Sequence, residues 1–173
     1  MGVFTTKKRI PEVVFEIEKD FEREIFDNYK ILFGRNTVLL DAKKKIKGRE
    51  LGGTIPDGFL FDLSDEKEPK FYLIEVELAK HSFYNHIFPQ ITKFFAFFKN
   101  HEQRLELTTK LYEIINSDKK IRDDFKKLIG KKEIFKFVKD VVENSQNILI
   151  VIDGEKPELS EIGEVYSDTW GKM

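Results

Sequence analysis

Asp57, Glu75 and Glu77 lie at or inside otherwise apolar, strand-like runs. Ile55-Pro56-Asp57 leads into Gly58 to Leu63, and Tyr72-Leu73-Ile74-Glu75-Val76-Glu77-Leu78 follows. A carboxylate on a half-buried strand is costly unless it is paired, hydrogen-bonded or bound to a cation. Three of them in such a setting point to a divalent metal site, and a metal site points to hydrolytic chemistry.

The two runs read as arms of one hairpin. With the charged turn Ser64 to Pro69 centred near residue 66, position i on one arm faces position 132 − i on the other, so Asp57 faces Glu75. Side chains alternate along a strand, which puts Glu75 and Glu77 on one face with Phe71 and Leu73. Cross-strand neighbours share a face, so Asp57 joins them. Like charges this close repel, and burial penalises each charge further. A hard divalent ion with oxygen ligands relieves both, and Mg2+ (or Mn2+) suits carboxylates together with water and phosphate oxygens. Pro56 and Gly58 shape the backbone around Asp57.

The elements that must hold these residues follow from periodicity. Val14 to Leu32 predicts an amphipathic helix, with Ile17, Phe21, Ile25 and Leu32 at helical spacing and Gly34 as its stop. Thr37 to Asp41 is a first strand, Gly58 to Leu63 a second and Phe71 to Leu78 a third. Gly52-Gly53 suggests a turn or a close backbone approach. Pro89 fits the first position of a helix reaching Asn100, with Ile91, Phe94, Phe95 and Phe98 as its apolar face; a helix upstream that kinks at Pro89 is the alternative. Residues 103–145 carry two or three further helices as a lid or support layer. The continuous apolar run Asn147 to Ile152 predicts a strand buried on both faces. The order is that of an α/β domain with a mixed sheet: an antiparallel three-strand meander flanked by helices, plus a helical elaboration near 103–145.

Composition bounds the class. The chain has 173 residues, enough for one domain spanning 1–173 with its core at about 14–152. Hydrophobic residues make up 40% and charged residues 35%, a globular balance. Lys plus Arg (30) nearly equals Asp plus Glu (31), so net charge neither favours nor excludes a nucleic-acid partner; local patches decide that. The absence of cysteine excludes disulfides, thiolate nucleophiles and Cys zinc sites. The polar, basic start from Met1 to Arg9 shows no secretory signal, and no apolar run is long enough for a membrane helix, so no membrane partner and a cytoplasmic location are expected.

At Pro56-Asp57 followed by Glu75-Val76-Glu77 on the next strand, the chain resembles the PD-(D/E)xK nuclease superfamily, with its restriction endonuclease-like core. The order of elements matches from about Val14 to Ile152. The resemblance implies an Mg2+-dependent deoxyribonuclease, cutting DNA as an endonuclease or exonuclease, with Asp57 and Glu75 holding the metal. Glu77 occupies the position where the family carries lysine; some restriction endonucleases with glutamate there are active, and Glu77 would then act as base or metal ligand. Lys80 or Lys93 could replace the missing lysine. A catalytically inactive nuclease fold that binds DNA or acts as a scaffold is the alternative, and an interaction module built on the 103–145 helices is a third reading. The family's glutamine on the helix after the third strand corresponds to Gln90, whose other reading is a helix-start residue satisfying free N–H groups. Its first-helix glutamate corresponds to Glu18 or Glu22, with Glu22 preferred. A lone catalytic domain of this kind usually needs a second copy to cut both strands, so the resemblance is compatible with a homodimer.

Lys43, Lys44, Lys45, Lys47 and Arg49 place five positive charges in seven residues just ahead of the acidic run, suited to phosphate-backbone contact or to a solvated loop. His81 and His86 are five residues apart, out of step with paired ligands on one helix face, and read as polar surface or supporting groups, His81 being near enough to Glu77 to shuttle a proton.

Overall fold

The computed structural model describes residues 3–4, 9–10, 13–45 and 55–162, with side chains described for 13–43 and 55–162. A small antiparallel ribbon, β1 (Val3–Phe4) and β2 (Arg9–Ile10), comes first. Then follow α1 (Glu18–Leu32), β3 (Thr37–Asp41), α2 (Ala42–Lys45), β4 (Gly58–Asp62) and β5 (Lys70–Glu77). A π-helical turn at Phe83–Ile87 runs into α3 (Phe88–Lys99). The helices α4 (His101–Ser117), α5 (Lys119–Ile129) and α6 (Ile134–Asn144) precede β6 (Gln146–Ile152), and 157–162 is again helical.

The larger sheet has the order β3-β4-β5-β6, and the fold is α/β with a mixed four-stranded sheet. β3, β4 and β5 form the expected antiparallel meander, and β6 joins β5 in parallel. The β4–β5 register runs from Gly58↔Ile74 to Asp62↔Lys70, so every pair sums to 132 as the hairpin arithmetic requires. The turn between them is closed by carboxylates acting on free N–H groups: Asp62 accepts from Ser64, and Asp65 from Lys67 and Glu68.

Strand alternation divides the core into two layers. On one face, Leu60, Ile74, Val76 and Leu78 pack against Phe21 and Ile25 of α1. On the other, Phe59, Phe61, Phe71 and Leu73 meet Phe94, Phe97 and Phe98 of α3 and Phe125 of α5. Phe61 and Phe125 pack edge to face at 5.2 Å, and Phe71 and Phe98 at 6.4 Å. Such pairs add about 0.5–1.5 kcal/mol each beyond the area they bury. Phenylalanine dominates the filling between the sheet and this helical layer, while Phe15, Phe21, Phe26 and Phe33 fill the α1 side.

Two expectations need correction. The first helix starts at Glu18, because Ile17 is extended (φ −121, ψ 122). The β-branched Val13, Val14 and Ile17 are exposed, as is Leu32 at the other end, so the buried stripe is carried by Phe21 and Ile25. β6 is covered on both faces, with Ile148, Ile150 and Ile152 against one cluster and Leu149 and Val151 against the other. It is nevertheless the last strand of the sheet, and its residues from Asn147 on are only half-buried because one edge has no strand beside it among the described residues. Upstream of Pro89, the alternative helix exists as the π-helical turn, which continues into α3.

Candidate active site

β4 stays paired with β5 only as far as Gly58↔Ile74, whereas β5 runs on beside β6 to Glu77. The sheet therefore opens at Asp57, and the opening is where the acidic residues lie. The Asp57 backbone is pinned on both sides: its N–H donates to Ile74 O at 3.0 Å and its carbonyl accepts from Ala42 N at 3.0 Å. The residue is 1% exposed, and Oδ2 accepts from Val76 N at 2.7 Å, taking an N–H that β4 no longer reaches.

The other oxygen, Oδ1, is closed by the ammonium of Lys43 from α2, which also donates to Glu22 Oε2 at 3.0 Å. Glu22, on the α1 layer, thus joins Asp57 through one lysine. Burial opposes the charge on Lys43, but the two carboxylates outweigh it and hold the ammonium above its usual range. Burial pushes Asp57 up to about 6, against the pull of Lys43 and the Val76 N–H. The two shifts agree physically: Asp57 is the more deeply buried partner, so its charge carries the larger desolvation penalty.

Glu75 is 6% exposed, and its Oε2 has no hydrogen-bond partner. Burial first, then the charges of Asp57 and Glu77, push it up to about 9. By strand parity Glu75 shares a face with Glu77, and the β4–β5 register extended by one residue sets it across from Asp57.

Glu77, 1% exposed, turns to a different set of partners. Oε2 lies 2.7 Å from His81 Nδ1 and Oε1 lies 3.2 Å from His86 Nε2, while His81 Nδ1 is also 3.4 Å from Glu18 Oε2. The reading of His81 and His86 as polar surface or supporting groups stands: His86 is half-exposed, and His81 lies beside Glu77 as expected. His81 sits in the bend after β5 and His86 in the π-helical turn, so the spacing rule for a regular helix does not apply to them.

The remaining expectations distribute as follows. Gln90 lies in the first turn of α3, half-buried, with Oε1 unpartnered. Lys80 does not serve the acidic pair: its Nζ donates to Glu16 O at 2.6 Å. Lys93 is exposed on α3. The lysine that reaches Asp57 is Lys43, which its neighbours in sequence had marked only as part of a basic run. Lys44 and Lys45 continue the α2 backbone; their side chains, together with Lys47, Arg49 and the Gly52-Gly53 pair, lie outside the described residues.

A groove of about 590 Å³ flanks the site, with Glu18, Glu22, Phe26, Asp41 and Lys43 in its wall. A cavity of similar size, about 600 Å³, lies by Pro69, Lys70 and Phe137, at the opposite end of β5. Eight strand residues separate the ends by roughly 25 Å, so of these two the first groove is the one that shares residues with the acidic centre. Among the described residues no helix is long and apolar enough to cross a membrane. Comparison of the chain with protein-family models, curated proteins and solved structures gives no match, so its geometry alone bears on function.

Proposed function

We propose that this protein is a divalent-metal-dependent phosphodiester hydrolase acting on DNA, built on a restriction endonuclease-like core, with Asp57, Glu75 and Lys43 at its centre. The observation that carries the reading is the closure of Lys43 on Asp57 and Glu22 beside a buried, unpartnered Glu75 oxygen. Carboxylate pairs of this kind suit a hard cation, and a lysine beside them suits a phosphate.

The donor set fits Mg2+ or Mn2+. Glu75 has a buried oxygen without a partner and is pushed up to about 9 with no cation to offset its neighbours' charge. Asp57 and Glu75 would hold the ion, which when bound polarises a phosphate and lowers the pKa of a water. Val76 N–H fixes the rotamer of Asp57. Glu22 keeps the Lys43 side chain extended toward Asp57, where its ammonium can face a phosphate oxygen. Lys43 therefore takes the place of the lysine that Glu77 displaced from β5, reaching the same carboxylate from the β3 side of the sheet. The half-exposed flank of Lys43 gives the substrate its approach.

Plasmid, single-stranded and branched DNA incubated with the protein and Mg2+ or Mn2+ should be cut, cleavage should stop with chelator, and Asp57→Asn should abolish it. Absence of cutting on all three substrates with either metal overturns the proposal.

A further inference from the structure

We infer that Glu18, Glu77, His81 and His86 form a second cation site, selective for a divalent transition metal of the Zn2+, Mn2+ or Co2+ class. One ligand atom from each residue lies within 4.8 Å of all the others. A tetrahedral ion with bonds of about 2.0–2.1 Å holds its ligands roughly 3.3 Å apart. The separations of 2.7, 3.2 and 3.4 Å between the imidazole nitrogens and carboxylate oxygens bracket that value, as expected of a cluster closed on its own hydrogen bonds.

The ligands come from separate parts of the chain, and each is positioned. Glu77 ends β5 and is 1% exposed, so its carboxylate is fixed by the sheet and faces inward. His86 is carried on a π-helical turn, a rare wide turn that recurs at functional sites. Ser82 caps that turn by accepting from Asn85 N. Glu18 opens α1, and the Lys80 Nζ to Glu16 O bond ties the bend after β5 to the segment just ahead of it. Ala79 N donates to Asp153 Oδ1 at 2.6 Å, anchoring the other side of the same bend to the end of β6. The bend that carries His81 is thus clamped from both directions.

The donor chemistry decides the metal. Mg2+ takes oxygen ligands and binds imidazole poorly, whereas two imidazoles with two carboxylates suit a borderline transition metal and neutralise its charge. His86 and Glu18 retain side-chain exposures of 48% and 33%, which leaves a solvent-facing approach to the ion. The site neighbours the phosphodiesterase centre but uses its own ligands: Glu75 lies two residues from Glu77, about 7 Å along the strand, Glu18 lines the same groove as Lys43, and none of the four ligands is Asp57, Glu75 or Lys43.

The test is Co2+ titration of the full chain, read by visible absorption, with Zn2+ as competitor. One equivalent of Co2+ should give the intense bands of a low-symmetry nitrogen-and-oxygen site, and Zn2+ should remove them. His81→Ala and His86→Ala should each weaken binding by at least about tenfold, while Asp57→Asn and His101→Ala keep it. His86→Gln, on a half-exposed side chain, serves if the alanine variant loses its far-UV circular dichroism. Absence of bands in the unmodified protein, or unchanged binding in the histidine variants, overturns the site and leaves only hydrogen-bonded His–Glu pairs. An Asp57→Asn protein that no longer cuts DNA yet keeps the Co2+ bands separates this site from the hydrolytic one.

Discussion

Lys43 and Asp57 meet although fourteen positions and a strand boundary separate them: the ammonium at the start of α2 closes on Oδ1 of a carboxylate that is 1% exposed. Both residues flank the ladder between β3 and β4, and the hydrogen bond from Ala42 N to Asp57 O sets their spacing. A cation delivered in this way is part of the backbone geometry and not a loop that happens to lie near.

Replacing Lys43 by Ala should lower DNA cleavage on the order of 10²-fold or more, the scale for losing one preorganised charge at a reacting phosphate. Lys43→Arg should retain part of the rate. Single-turnover kinetics at saturating Mg2+ would show the loss in the chemical step; an unchanged rate in Lys43→Ala would remove the lysine from the mechanism.

Without metal, stability should fall as pH rises between about 4.5 and 9. Glu75 keeps its proton in the folded chain well above the pH at which the unfolded chain has released it. The folded state therefore binds more protons throughout that window, and unfolding free energy declines with pH until the folded carboxyl has also ionised. Asp57, raised to about 6, adds to the slope in the lower part of the window. Urea midpoints in chelator should decrease from pH 5 to pH 9, Glu75→Gln should flatten the decline, and Mg2+ should offset it at the alkaline end.

Gly58 is the residue through which packing and chemistry touch. A Cβ there would lie 2.8 Å from Phe26 Cζ and 3.2 Å from the Leu40 carbonyl oxygen. Phe26 belongs to α1, the helix that brings Glu22 to Lys43. Gly58→Ala should destabilise by about 1–3 kcal/mol, the range for overpacking, and should lower cleavage beyond what the folded fraction explains. Denaturation midpoints and activity corrected for folded fraction check both parts.

In the helical layer, Asp118 caps α5 by accepting from the N–H groups of Lys120 and Ile121. Asp118→Ala should cost about 1 kcal/mol of stability, with cleavage per folded molecule unchanged. A drop in that ratio would tie the 101–144 helices to the reaction.

The meander and its register were legible because an alternating hairpin fixes which residues face each other once its turn is located. Asp57 opposite Glu75 followed from that alone, and the β4–β5 register agrees with the arithmetic up to Gly58↔Ile74. Helical spacing put Glu18 and Glu22 on one side alike and did not choose between them; it is the contact with Lys43 that sets Glu22 near Asp57. Lys43 was hidden by its surroundings, because a lysine among lysines carries no sign of which one turns inward. His81 beside Glu77 was legible from its position just past β5, whereas the joining of His86 to the same carboxylate was hidden, because a π-helical turn breaks the 3.6-residue periodicity on which ligand spacing is judged. The half-exposed edge of β6 was unreadable because an apolar run reports which faces are covered and says nothing of who sits alongside.

The opening of the sheet past Gly58↔Ile74 has a consequence for how the gene can vary. Asp57, Phe59 and Phe61 share a side because an even count separates them, and β4 carries no bulge that could absorb a change. Losing or gaining one codon within β4 would turn Asp57 toward the α1 layer or send the phenylalanines out of their core, whatever residues remained. Substitutions along this strand can be graded by size and charge, whereas its length is all-or-nothing, and homologues that keep the chemistry should differ in the 63–69 turn before they differ in the number of residues between Asp57 and Asp62.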